Sequence, residues 1–303
     1  MTTKLQEYLS YLKVLGKSLN TREAYERDLL QFFAYINDKY ESELSLTDVD
    51  RYIIRDFMGY LSESLGNGNR TISRKLTSLK GFFNYAIKQN WISDNPTLTM
   101  KNPKFEKKIP LFFSEKDIEL LLSLPDLSSK FGVRNLAILE LFYSSGLRIS
   151  ELTILTTESI DFNRKIIKVH GKGDKTRLIP VGTKAIEAIQ NYLTIRDSFH
   201  SKYSENILFL SKSGRPLDRF ELTAILSQYI NLVGQRKGFS PHTLRHTFAT
   251  HMLSNGSDIL AIQKMLGHAN LSSTEIYTHV SMKDLTNTVN LLHPRSKPKK
   301  EKE

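Results

Sequence analysis

The sequence predicts a mainly α-helical protein with two domains, the first all-helical and the second mostly helical with a small antiparallel β-sheet. Three observations predict this architecture. The 303 residues are enough for about two domains of ordinary size. Residues 1–100 repeat their apolar side chains at the helical spacing i, i+3, i+4, without sustained alternation. Residues 165–181 instead alternate with the period of two that is typical of strands.

Four amphipathic segments predict a four-helix domain at the N-terminus. Thr21 is the predicted N-cap of the second helix, and Thr47 is that of the third. The fourth helix is predicted from Thr71 to Gln89, and basic residues surround its apolar face: Arg70, Arg74, Lys75 and Lys80. These charges fit a solvated surface, but on a basic protein they also fit contacts with a polyanion. The apolar positions that mark the helices are Leu5, Tyr8, Leu9 and Leu12; Tyr25, Leu29, Phe32, Phe33 and Ile36; Ile53, Ile54, Phe57 and Leu61; and Ile72, Leu76, Leu79, Phe82, Phe83 and Ala86.

A stretch rich in proline and lysine follows the four helices and predicts a linker. Its prolines are incompatible with a continuous helix. Its lysines either keep the segment soluble or follow a phosphate backbone. The residues concerned are Pro96, Pro103 and Pro110, and Lys101, Lys104, Lys107 and Lys108. The predicted boundaries are therefore 1–95 for the helical domain, 96–112 for the basic linker, 113–293 for the second domain and 294–303 for a basic tail.

The second domain is predicted to place helices around one β-hairpin. Its strands are residues 165–170 and 176–181, joined by a turn that contains two glycines. Helices are predicted at residues 114–124 and 133–143, ahead of the hairpin. Cap signals start further helices after it: Thr183, Asp218 with Glu221, Ser240 before Pro241, Asp258, and Ser272 with Glu275.

Composition excludes several classes of protein and site. The chain has no cysteine, which excludes disulfides, thiolate metal sites and cysteine nucleophiles. A mean hydropathy of -0.33 and a polar N-terminus predict neither a membrane span nor a secretory signal, so we expect a cytoplasmic protein. The net charge of +11 indicates a polyanionic partner. Residues 101–303 carry +10 of that charge and the tail only +3, so most of the excess lies in residues 101–294, the linker's lysines included.

Five short motifs in the second domain are candidates for a functional site. Any one of them alone is weak evidence for a functional site, because a single arginine or histidine is usually a surface residue or an ion-pair partner. In chain order they are GLRISEL around Arg148, GKGDK around Lys172, HTLRH with His242 and Arg245, LGH ending at His268, and Tyr277.

The arginines and histidines of these motifs suit an anion better than a metal. Arg148 and Arg245 can clamp two oxygens of one phosphate through paired charge-assisted hydrogen bonds, although Arg148 alone could simply pair with Glu151. His242 and His246 have the i, i+4 spacing of metal ligands. A cation lies between them and the adjacent glutamate of metallohydrolase helices is missing, so no metal site is predicted.

In this order and spacing, the five motifs resemble the tyrosine recombinase (phage integrase) family, and within it the Xer recombinases of bacteria and archaea. The resemblance covers nearly the whole chain. It implies an N-terminal SAM-like core-binding domain, a recombinase catalytic domain, and DNA cleavage and rejoining that need no metal, ATP or other cofactor. The catalytic residues it implies are Arg148, Lys172, His242, Arg245, His268 and Tyr277, supported by Glu151.

The resemblance also implies a role for each residue. Tyr277 attacks the phosphorus, leaving a 3′-phosphotyrosine and a free 5′-hydroxyl. The two arginines and His268 stabilise the charge that develops on the phosphoryl oxygens. Lys172 protonates the departing 5′ oxygen, and His242 assists proton transfer at the tyrosine hydroxyl. Glu151 orients the arginines.

The implied partner is duplex DNA with a specific recombination site, held between the two domains. Residues 282–292 would dock on a neighbouring protomer in a homo- or heterotetramer, or pack on their own domain. Because the sequence begins at the first helix, without an arm-binding domain, we expect Xer-type resolution of chromosome or plasmid dimers at segregation. The alternatives are a mobile-element integrase and a non-catalytic DNA-binding protein. The target sequence, a second recombinase, a DNA translocase partner and the order of strand cleavage stay open.

Overall fold

The computed structural model describes residues 1–40, 44–104, 111–171, 176–199, 206–234, 239–267 and 282–296. The chain divides into two compact units, Met1–Lys108 and Ile109–Glu303. The predicted fold class, mainly helical with a small antiparallel sheet, is confirmed. None of the helices in these ranges is both long enough and apolar enough to cross a membrane.

The first unit buries the apolar faces of its helices in one core. All the predicted apolar positions are buried there except Tyr25 and Ile53, which are half-buried and pack against the same core. Aromatic rings dominate its centre, where Phe32 meets Phe57 edge-on at 5.1 Å between ring centroids. The described helices are α1 Thr2–Val14, α2 Leu19–Tyr40, α3 Arg51–Glu63 and α4 Asn69–Lys88.

Two predicted N-caps in this unit are wrong by a few residues, because neighbouring polar side chains compete for the same role. Thr21 lies inside the first turn of α2, and its backbone N–H donates to the Ser18 hydroxyl at 3.3 Å. Thr47 lies in a separate 3-10 turn ahead of α3. Asp50 caps α3 instead, and its carboxylate accepts two backbone N–H groups of the first turn at 2.8 and 2.9 Å.

The second unit packs helices around a three-stranded antiparallel sheet. Its caps at Asp218, Ser240 and Asp258 are confirmed, whereas α8 begins at Thr183 itself, one residue after its N-cap Gly182. The Ser272 cap lies outside the described residues. The described helices are α5 Glu115–Ser123, α6 Lys130–Ser145, α7 Ile149–Leu152, α8 Thr183–Ile195, α9 Arg219–Val233, α10 Pro241–Ser254, α11 Ile259–Leu266 and α12 Met282–Leu292.

The predicted hairpin is confirmed, and one further short strand extends it. The sheet has the order β1-β2-β3, with Ile167 opposite Ile179 in the pair β2–β3. The added strand has only two residues, too few for an alternating pattern to reveal it. The strands are β1 Ile160–Asp161, β2 Ile166–His170 and β3 Thr176–Pro180.

The C-terminal helix α12 packs on its own unit in this single chain. Leu285 and Val289 are buried in the core of the second unit. The Asn255 side-chain amide donates to the Leu292 carbonyl at 2.9 Å, and Arg295 forms an ion pair with the buried Glu140. Of the two predicted arrangements for this segment, the structure shows the one within the chain, and docking on a second protomer stays a prediction.

Candidate active site

Arg148 is fixed by the break between α6 and α7. Gly146 ends α6 in the left-handed conformation with φ 57°, which favours glycine. A Cβ at this position would lie 2.6 Å from Phe248 Cδ1, so the close packing also requires glycine. The turn places Arg148 as the N-cap of α7. Its backbone N–H donates to Glu151 Oε2 at 2.8 Å and its Nη1 donates to Glu151 Oε1 at 2.9 Å, so one carboxylate holds both its main chain and its guanidinium.

Arg245 reaches the same break from α10. Its side chain is buried, and its guanidinium donates to the carbonyl of Gly146 and, at 2.6 Å, to that of Leu266. Burial, with the charge of the nearby Arg148, lowers the pKa of Arg245 to about 10. The group therefore stays a cation at neutral pH.

Arg177 on β3 belongs to the same group of arginines, although it is absent from the site residues that the sequence predicts. Its Nη1 and Nη2 donate to the two oxygens of Glu151 at 2.8 and 2.9 Å, and its Nε donates to the Met265 carbonyl at 2.9 Å. A signal for it existed in the hairpin register, which sets Arg177 opposite the buried Val169. Opposite residues of an antiparallel pair share a face, so this arginine belongs to the apolar side of the sheet.

Arg148, Arg177, Arg245 and Glu151 form what we call the arginine cluster. Together they carry a net charge of about +2. Burial raises the pKa of Glu151, but the hydrogen bonds from Arg177 and Arg148 outweigh it and hold that pKa below its usual value. The carboxylate is therefore ionised at neutral pH, and the remaining positive charge suits an anionic ligand such as a phosphodiester.

Of the other four predicted catalytic residues, the structure describes only His242. His242 is exposed and is the second residue of α10, three positions before Arg245. Lys172, His268 and Tyr277 lie outside the described residues. Within the described ranges, no group of three or more histidine or acidic side chains is arranged to hold a metal ion.

The predicted phosphate contacts on α4 fall into two kinds. Arg70 is exposed, and Lys80 donates to the Asn102 side chain at 3.0 Å in an exposed position. Lys75 is buried instead, where its ammonium pairs with Asp28 at 3.2 Å. Asp28 also pairs with Arg74, whose side chain is 49% exposed. The structure therefore gives Lys75 an internal role and leaves Arg74 accessible from solvent.

The lysines of the segment after α4 are only partly described. Lys101 and Lys104 are exposed, and the Lys104 carbonyl accepts a hydrogen bond from the Asn69 side chain at 3.0 Å. Lys107 and Lys108 lie outside the described residues.

Comparison with known proteins identifies the family. Residues 112–284 match the phage integrase family, and residues 5–90 match the phage integrase N-terminal SAM-like domain. The chain belongs to the phage integrase family. Members of this family are tyrosine recombinases, enzymes that cleave and rejoin DNA, and the predicted SAM-like character of the first domain is confirmed.

Curated relatives place this phage integrase family member beside the Xer enzymes. It is 36% identical over 298 residues to tyrosine recombinase XerD of Staphylococcus aureus (strain N315), covering 98% of this chain and 100% of that protein. The same figures hold for tyrosine recombinase XerD of Staphylococcus haemolyticus (strain JCSC1435).

Two solved structures of similar fold are recombinases in complexes, one with a difH substrate and one with circular intermediate DNA. The XerH site-specific recombinase bound to a palindromic difH substrate, in a post-cleavage complex, is 25% identical with a TM-score of 0.70, covering 90% of this chain and 80% of that one. The Tn1549 transposon integrase in complex with circular intermediate DNA is 22% identical with a TM-score of 0.68, covering 93% of this chain and 97% of that one, and shows the shared fold.

Proposed function

We propose that this tyrosine recombinase is a site-specific enzyme of the Xer type, which resolves chromosome or plasmid dimers in the cytoplasm at segregation. The observation that carries the proposal is the arginine cluster, in which a buried carboxylate and main-chain carbonyls hold guanidiniums with excess positive charge. The identity to XerD along nearly the whole chain supports the Xer role. The palindromic difH substrate in the XerH complex supports duplex DNA with a specific site as the proposed partner.

The proposed reaction transfers the 3′ end of a cleaved DNA strand to a tyrosine of the protein and then back to DNA. Arg148 and Arg245 bind the non-bridging oxygens of the scissile phosphate, together with His268. The Tyr277 hydroxyl oxygen attacks the phosphorus as its proton passes to His242. The bond from phosphorus to the 5′ oxygen breaks, and Lys172 supplies the proton that this oxygen takes up. A 3′-phosphotyrosine and a 5′-hydroxyl result, and the reverse steps rejoin the strand.

The proposed division of labour follows the predicted boundaries. Residues 1–95 and the linker 96–112 bind the DNA backbone, residues 113–293 cleave it, and residues 294–303 form a basic tail. In the proposed assembly, residues 282–292 of one copy dock on the next to form a tetramer on DNA, and a DNA translocase is a candidate partner. The proposed phosphate contacts are Arg70, Arg74, Lys80, Lys101, Lys104, Lys107 and Lys108.

A covalent trap tests the chemistry. The protein is incubated with a nicked half-site, whose short 5′ fragment diffuses away after cleavage and leaves the enzyme attached to DNA. We expect a covalent adduct with the wild type and with Tyr52→Phe, which changes an exposed tyrosine of the first unit. Tyr277→Phe should form none. An adduct that persists in Tyr277→Phe, or its absence in the wild type, would overturn the assignment.

Mapping the cleaved DNA tests the biological role. The protein's covalent adducts are recovered from its own genome and sequenced. A single chromosomal site near the replication terminus is the expected result. Sites at the ends of a mobile element would contradict the Xer role and indicate an integrase.

A further inference from the structure

The end of α11 offers three consecutive carbonyls, and a different arginine donates to each. Arg177 Nε donates to the carbonyl of residue 265 at 2.9 Å, Arg245 Nη2 to that of residue 266 at 2.6 Å, and Arg148 Nη2 to that of residue 267 at 3.0 Å. The last carbonyls of a helix have no partner within the helix and form the negative end of its dipole. This helix end therefore aligns three cations in a fixed order.

Arg177 differs from the other arginines of the cluster in where its donors go. Three of its five N–H donors are bound to Glu151 and to the Met265 carbonyl. Its side chain is 15% exposed, whereas that of Arg148 is 40% exposed. The guanidinium also lies against the backbone of Gly267, where a Cβ would be 3.1 Å from its Cζ. Arg177 therefore faces the interior of the cluster and leaves the solvent side to Arg148.

We propose that Arg177 is a positioning residue for DNA cleavage. By holding both oxygens of Glu151 and the end of α11, it fixes the guanidiniums of Arg148 and Arg245 relative to each other. The inference rests on the proposed catalytic role of those two arginines. Lysine at this position would keep the charge but lose the planar fork that binds a carboxylate through two parallel bonds. The catalytic guanidiniums could then shift, and a shift of about 1 Å at a reacting group costs about 100-fold in rate.

Single-turnover cleavage of the half-site, measured against DNA concentration, separates positioning from binding and folding. The variants are Arg177→Lys and a matched control, Arg196→Lys. Arg196 is a half-buried arginine of the same unit that also donates to main-chain carbonyls, those of Ile207 and Leu208, outside the cluster. We expect Arg177→Lys to lower the cleavage rate at saturating DNA about 10- to 100-fold. The half-saturating DNA concentration and the control should stay within about threefold of wild type.

A wild-type cleavage rate in Arg177→Lys would overturn the inference. An equal loss of cleavage rate in Arg196→Lys would also overturn it, because a general structural effect would slow both variants alike. A double-mutant cycle adds a second readout. If Arg177 acts through Glu151, the double variant Arg177→Lys with Glu151→Gln is no slower than the slower single variant. Rate losses that multiply would show independent action and contradict the proposal.

Two further variants keep the outcomes distinct. If Arg177→Lys does not fold, Arg177→Gln with Glu151→Gln replaces the buried pair by neutral side chains, and this form should also cleave slowly. A wild-type rate there overturns the inference. Arg148→Lys serves as the reference for the proposed function. No adduct in the wild type contradicts that function, whereas loss in Arg148→Lys without loss in Arg177→Lys contradicts only the role of Arg177.

Discussion

Each unit buries a carboxylate beneath basic side chains, Asp28 in the first and Glu151 in the second, but the two arrangements differ in what holds the cations. In the first unit, Asp28 accepts from Arg74, from Lys75 at 3.2 Å and from the Ser78 hydroxyl at 2.7 Å, which ties α2 to α4. In the second unit, Glu151 is joined by main-chain carbonyls that aim each guanidinium separately. We call the first arrangement the Asp28 cluster.

The difference indicates a division between holding and reacting. The Asp28 cluster joins two helices and leaves the half-exposed Arg74 at the surface, which suits the phosphate contact proposed for it. The arginine cluster orients its guanidiniums through the main chain of several segments, which is the rigidity that stabilisation of a transition state requires. The predictions below would break or sharpen this contrast.

The largest effect is expected at Arg245. Arg245→Ala removes a buried cation that we assign to the scissile phosphate, and we expect cleavage to slow by about 100- to 1000-fold. Arg74→Ala, in the Asp28 cluster, should weaken DNA binding and leave the cleavage rate at saturating DNA within about threefold of wild type. Single-turnover cleavage assays compare the two variants, and circular dichroism checks that each is folded. Equal losses of cleavage in the two variants would remove the contrast.

The next largest effect is expected on the free energy of unfolding, when Gly146 between α6 and α7 is replaced. Gly146→Ala would force a side chain into a left-handed position and onto Phe248, so we expect a loss of about 2 to 4 kcal/mol in the free energy of unfolding. Gly16→Ala is the matched control in the first unit, because Gly16 has φ 68° with nothing within 4 Å of a Cβ. It should cost about 1 to 2 kcal/mol. Urea unfolding followed by far-UV circular dichroism compares the two, and equal losses would show that packing at the break contributes nothing.

A smaller effect is expected when the carboxylate of the Asp28 cluster is neutralised. Asp28→Asn leaves the buried Lys75 ammonium with only a neutral partner, and we expect a loss of about 1 to 3 kcal/mol in the stability of the first unit. Trp91 is the chain's one tryptophan and lies in this unit, so its fluorescence during urea unfolding reports on it directly. An unchanged midpoint would mean that the ion pair does not stabilise the unit.

The smallest effect is a difference in pH dependence between the units. Every histidine lies in residues 109–303. Burial lowers the pKa of His293 from 6.5 to about 3, and it also lowers that of His251. A neutral histidine in the folded state resists the protonation that the unfolded chain accepts, so stability is lost as pH falls from 6.5 towards 3.

The second unit should therefore unfold at lower urea at about pH 5.5 than at about pH 7.5, whereas the Trp91 signal of the first unit should change little. His293→Phe keeps a ring at the position and should reduce the pH dependence. If the wild type unfolds at the same urea concentration at both pH values, the buried histidines do not contribute to stability in this way.

Local sequence patterns predict the helices and part of the site. They do not predict the side-chain pairs between residues that are distant in sequence. The periodicity of α1 to α4 identified the buried positions, and polar residues ahead of α9, α10 and α11 identified their caps. Arg177 was missed because its partners, Glu151 and Met265, are distant in sequence. The pattern of α4 predicts Lys75 as an exposed basic residue, whereas its partner Asp28 on another helix draws it into the interior. Such pairs depend on how elements pack, which spacing along the chain does not encode.

The most direct test of the contrast compares neutral replacements of Glu151 and Asp28. Single-turnover cleavage at saturating DNA is measured for Glu151→Gln and for Asp28→Asn, under conditions where both are folded. We expect Glu151→Gln to cleave about 10- to 100-fold more slowly than wild type, and Asp28→Asn to cleave at close to the wild-type rate. Cleavage that is slowed equally in both variants, or only in Asp28→Asn, would contradict the division between holding and reacting.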